Sequence, residues 1–178
     1  AAFLDALARY RLLPETRRGN RESGEVLAAI LAFPQPTILG PAGALLIGRA
    51  YRDLGMVEEM ATTYEAALQK VDCPLALEMT ADLADYLYRT GRRSEARPRY
   101  EALASQSSKH AFHAELRLAE IALHEHHLDD CLQRCRKLLR EHPAADLTPV
   151  LQVMGKAFAQ KGDYEKSAQC FAGKVPEV

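Results

Sequence analysis

Strand signals are nearly missing from this 178-residue chain: β-branched residues do not cluster, and no Asn-Gly or Asp-Gly turn separates alternating segments. A β-sandwich or barrel is therefore excluded. An excess of one charge is missing as well. The 23 Lys and Arg oppose 24 Asp and Glu for a net charge of −1, so nothing draws the chain in bulk to nucleic acid or an anionic membrane. No apolar run reaches the ~18 residues of a membrane span. The longest are LAAILAF (Leu27 to Phe33) and GALLIG (Gly43 to Gly48), and this segment is not expected to insert directly into a bilayer. Gly-rich phosphate loops, GxSxG, HExxH and CxxC are all absent. The expectation is a non-catalytic protein with no cofactor.

Hydrophobic residues make up 48% and charged residues 26%, which places the chain among soluble globular proteins with a real core. The cysteines are Cys73, Cys131, Cys135 and Cys170. Only the middle pair is close, and i,i+4 on a helix is poor disulfide geometry, which favours a reducing, cytoplasmic compartment. With no initiator Met, no secretory leader and an abrupt end at KVPEV, the chain reads as a piece of a larger protein.

An internal repeat organises most of it. Ala50 to Gln69, Asp85 to Ala104, Ile121 to Arg140 and Ala157 to Pro176 align with a turn residue at Gly55, Gly91, His126 and Gly162, spaced by 36, 35 and 36 residues. Small residues late in the first helix of each pair (Gly48, Ala84, Ala119, Gly155) let the second approach closely. The turn residue accepts positive φ where the first helix ends. Met60, Ala96, Cys131 and Ser167 take the next close contact, and four residues on a larger group (Tyr64, Tyr100, Cys135, Phe171) packs between helices. Breaks at Asp72-Cys73-Pro74 and Glu141-His142-Pro143 start new pairs.

These residues resemble the tetratricopeptide repeat family, most closely in GRAYRDLGMVEEMATTYEAAL (Gly48 to Leu68) and GKAFAQKGDYEKSAQCF (Gly155 to Phe171). The chain departs from the family in having no Trp and in a period above the usual ~34 residues. The resemblance implies an all-α, right-handed α-solenoid of antiparallel helical hairpins with about ten helices. The expected units are 41–76, 77–111, 112–147 and 148–178, preceded by a divergent hairpin over 1–40 with helices at about Ala2 to Leu12 and Gly24 to Ala32.

One stretch looks like a metal site. HEHHLDDCLQRC (His124 to Cys135) holds three of the six histidines and two of the four cysteines. The repeat register, however, puts Cys131 and Cys135 at positions every unit must bury, and free Cys is among the most buried residue types. The histidines read as a solvated turn, with Asp129 and Asp130 favourable at a helix N-terminus. No metal is expected; a metal-binding sensor is the minor alternative. Asp82, Asp85, Glu58 and Glu59 read as helix-surface charges. The five arginines between Arg89 and Arg99, diluted by Glu95, lack the aromatic interleaving of a nucleic-acid surface.

In the resembled family, ligands lie in a concave groove lined by the first helix of each unit. That geometry implies partner-binding residues Arg49, Arg52, Asp53, Asp85, Tyr88, Arg89, Glu120, His124, Lys156 and Gln160. The Lys/Asn carboxylate clamp of chaperone-binding members is absent. The implied function is a protein–protein interaction scaffold for a peptide, a partner helix or other copies of the chain. Long arrays of the resembled family include bacterial envelope scaffolds for polysaccharide export. The resemblance, with an Ala- and Arg-rich composition that suits a GC-rich bacterium, thus implies an exopolysaccharide-export scaffold, which would be periplasmic, as one specific setting. A cytoplasmic assembly or regulatory adaptor is the alternative.

Overall fold

The computed structural model describes residues 40–69, 73, 75–106 and 108–176. The expected N-terminal hairpin over 1–40 lies almost entirely outside them. Among the described residues there are eight helices and no strand: α1 (Gly40–Asp53), α2 (Val57–Leu68), α3 (Ala76–Arg89), α4 (Arg93–Ala104), α5 (Ala111–His124), α6 (Leu128–Glu141), α7 (Thr148–Gln160) and α8 (Tyr164–Phe171). They fall into two compact units that divide after Thr90.

In the first unit, α1 packs against α2, and α3 lies against both. Burial on α1 recurs at Ala44, Leu45, Ile47, Gly48 and Ala50, the stripe that helical periodicity requires. Gly48 has a specific reason. A Cβ placed there would sit 2.0 Å from the Tyr64 ring, so only glycine lets α1 seat the tyrosine of α2. In the second unit α4 packs on α5, α5 on α6 and α7, α6 on α7, and α7 on α8. Its core runs through Leu116, Ala119, Cys131, Cys135, Leu138, Val150, Met154 and Phe158.

The helix ends explain the tight turns. After α1, the Gly55 amide donates to the Arg52 carbonyl (3.0 Å) and the Met56 amide to Tyr51 (2.9 Å), the paired bonds of a Schellman stop. The same pair follows α7, from Gly162 to Ala159 and from Asp163 to Phe158. It follows α5 too, from His126 to Leu123 (3.2 Å) and from His127 to Ala122 (2.9 Å). His126 therefore does a glycine's work at φ 60°, in a region where an L side chain is strained by about 1–2 kcal/mol.

The close-contact positions are buried in all four expected pairs: Met60, Ala96 and Cys131 completely, Ser167 nearly so. The larger position is not uniform. Tyr64, Tyr100 and Cys135 are fully buried, whereas Phe171 is 56% exposed. Its ring still rests on Gly155, but no further helix among the described residues covers it.

Candidate interaction surfaces

The two units each carry part of the predicted groove set. In the first unit, α1 presents Arg49, Arg52 and Asp53, and α3 presents Asp85, Tyr88 and Arg89; none of the six is buried. The fold brings α1 and α3 together through Asp82, a residue read from the sequence as an ordinary surface charge. That reading is corrected here. The Asp82 side chain is only 19% exposed, accepts from Arg49 Nε at 2.5 Å and lies 3.8 Å from Arg52 Nη1. Tyr64 Oη lies 3.4 Å from the same carboxylate and 3.3 Å from the Leu45 carbonyl. Burial, reinforced by the negative Asp82 beside it, pushes the Tyr64 hydroxyl well above the ordinary phenol range, so it remains a donor. Arg52 also donates to Asp53 at 3.0 Å. The cations on this face are thus braced by neighbours, while the Arg49 side chain keeps 35% exposure.

In the second unit α5 carries Glu120 and His124, and α7 carries Lys156 and Gln160. Glu120 accepts from Arg117 at 2.6 Å. Gln160 meets His126 Nδ1 at 3.2 Å, and Lys161 donates to Asp129 at 2.6 Å, which holds the Asp129 carboxyl below its usual range. Arg97 reaches Glu125 in the same turn. The predicted solvated turn is thus exposed from His124 to His127 and tied on both sides to neighbouring helices.

Cys131 and Cys135 are wholly buried and hydrogen-bonded to each other; that contact and burial push the Cys135 thiol far above the usual range. Among the described residues, no three His, Cys, Asp or Glu side chains converge as a metal-ligand set. No described helix is long and apolar enough to cross a membrane. The arginine-rich stretch is also consumed locally: Arg92 donates twice to Glu95 at 2.7 Å, and Arg99 donates to the Glu95 carbonyl.

Sequence reasoning missed two anchoring carboxylates, Asp82 and Glu115. Glu115 lies on the apolar α5 with only 8% side-chain exposure, and Arg134 and Lys137 of α6 approach it at 3.2 and 3.6 Å. The signal available was a carboxylate facing an arginine 19 residues on, at the helix-to-helix separation of one hairpin.

Comparison with solved structures decides the fold. MamA from Desulfovibrio magneticus RS-1 matches with a TM-score of 0.68 at 17% identity, over 95% of this chain and 93% of its own. The fold is that of the tetratricopeptide-type helical repeats. The TPR-like repeats of a putative kinesin light chain from Podospora anserina match with a TM-score of 0.67 at 12% identity, covering 96% of this chain and 92% of theirs. PilF of Pseudomonas aeruginosa gives 0.67 at 14%, covering 100% of this chain and 80% of its own. No protein-family profile and no curated sequence matches. The chain is thus an all-α, TPR-like solenoid.

Proposed function

We propose that the chain is a non-catalytic interaction scaffold that binds a peptide or partner helix on the faces formed by its first helices. The observation that carries this is the Arg49–Asp82–Tyr64 network. It joins α1 to α3 and fixes the direction of a guanidinium that still faces solvent. A braced cation loses little side-chain entropy on meeting a partner, so more of its interaction appears as affinity. Asp85, Tyr88 and Arg89 extend the same helix pair, and Glu120, His124, Lys156 and Gln160 form the counterpart on α5 and α7. The four repeat units with the boundaries expected above belong to this proposal.

The test is affinity capture with the chain, followed by the same capture with Tyr88→Ala combined with Arg49→Glu. Loss of a captured partner with unchanged helicity supports the first-helix face; full retention moves the site elsewhere. The export setting rests on the family resemblance together with the Ala- and Arg-rich composition and is tested by the neighbouring genes: polysaccharide-synthesis genes beside this one support it, and their absence favours the adaptor.

A further inference from the structure

Away from those faces, the outward side of α6 and the flank of α5 border a cleft of about 360 Å³. Four cations line it, Arg134, Arg136, Lys137 and Arg140, against two carboxylates, Glu115 and Asp130, which leaves an excess of two positive charges in a chain whose net charge is −1. The six groups divide into two sets. Arg134 Nε spans both Asp130 oxygens at 3.1 and 3.2 Å, and its Nη1 reaches Glu115; Lys137 leans on Glu115 as well. That set is neutralised within the chain and forms a stiff floor. Arg136 and Arg140 are exposed and enter no hydrogen bond or ion pair among the described residues; Arg136 has only the longer-range attraction of Asp129.

We propose that this cleft docks an extended acidic peptide bearing two carboxylates two residues apart. Arg136 and Arg140 are one helical turn apart, a separation of about 6 Å along α6. Alternate side chains of an extended strand are spaced by about 6.7 Å, so an Asp/Glu-x-Asp/Glu segment presents its carboxylates at the matching interval. Each can take the forked geometry that guanidinium offers. Gln133, exposed three residues before Arg136 on the same lining, supplies an amide for the peptide backbone. No aromatic side chain lines the cleft for base stacking, which argues against a single nucleic-acid strand as the occupant. This surface is independent of the first-helix faces proposed above.

The probe is a fluorescein-labelled Gly-Ser-Glu-Gly-Glu-Ser-Gly peptide, titrated by anisotropy at low salt beside its Gln-for-Glu version and an oligothymidylate. The proposal expects saturable binding of the Glu peptide and at least ten-fold weaker binding of the Gln peptide. It also expects at least a ten-fold loss in Arg136→Glu/Arg140→Glu and a smaller loss in the milder Arg136→Gln/Arg140→Gln. The Tyr88→Ala/Arg49→Glu variant, which tests the first-helix face, should bind this peptide as the parent does. Equal binding of the Glu and Gln peptides, undiminished binding by both α6 variants, or tighter binding of oligothymidylate lost in those variants would overturn it.

Discussion

Two hairpins of this molecule begin from the same sequence pattern and end differently. In the first, Gly48 of α1 receives the ring of Tyr64 from α2, and α3 closes over it with Asp82 at the phenolic hydroxyl. In the last, Gly155 of α7 faces Phe171 of α8, whose ring a Cβ added at Gly155 would meet at 3.1 Å, yet the ring remains more than half exposed. The register is the same; the cover is not. A repeat position specifies which side chain is offered to a neighbouring helix, and its energetic worth depends on whether that helix is there.

Substitutions can break this comparison. The largest effect is expected from Tyr64→Ala, which removes a fully buried aromatic and its hydroxyl contact with Asp82; a loss of about 3–5 kcal/mol in denaturant unfolding is predicted. Phe171→Ala at the equivalent position should cost about 1 kcal/mol or less, because much of its surface is already wet. Similar losses at the two positions would refute the reading.

Gly48→Ala and Gly155→Ala sharpen it next. At Gly48 the new methyl would overlap a ring that has nowhere to go, a net loss of about 2 kcal/mol despite the better helix propensity of Ala. At Gly155 the exposed Phe171 ring can swing aside, but the buried Cys170 Cβ, also 3.1 Å from the new methyl, yields only if α8 shifts. A loss of about 1 kcal/mol or less is therefore expected, smaller than at Gly48. A chevron or equilibrium melt of each variant distinguishes these outcomes.

Asp82→Asn follows, weakening the link that the first hairpin has and the last lacks. About 1 kcal/mol is expected, since Arg49 is partly solvated. The smallest effect is a gain: His126→Gly relieves the positive φ, offset by the greater freedom of glycine in the unfolded chain, for about 0.5 kcal/mol of added stability. A melting temperature that falls in His126→Gly would show the His126–Gln160 contact outweighs the strain.

Much of the fold was legible because it is periodic. The 36, 35, 36 spacing located four turn residues, and the structure puts all of them, Gly55, Gly91, His126 and Gly162, at positive φ. It also placed Cys131 and Cys135 at positions that the structure buries completely. What periodicity could not reveal was pairing across helices. Asp82 and Asp85 look alike in sequence, three residues apart on one helix, yet only Asp82 meets Arg49 and Tyr64. Nor could it anticipate that Glu115, on a largely apolar helix, would anchor two cations of α6. Such partners depend on side-chain reach across an interface, which no spacing within one helix encodes. Phe171 shows the converse: a residue with the right spacing whose covering helix is a matter of tertiary context.

Native-state hydrogen exchange tests the central contrast most directly, because it reads each hairpin separately. The account predicts that amides of α2 around Met60 to Tyr64 exchange only with unfolding of their surroundings, while those of α8 around Ser167 to Phe171 open at a distinctly lower free energy. Equal protection in the two helices, with α8 as slow as α2, would contradict it.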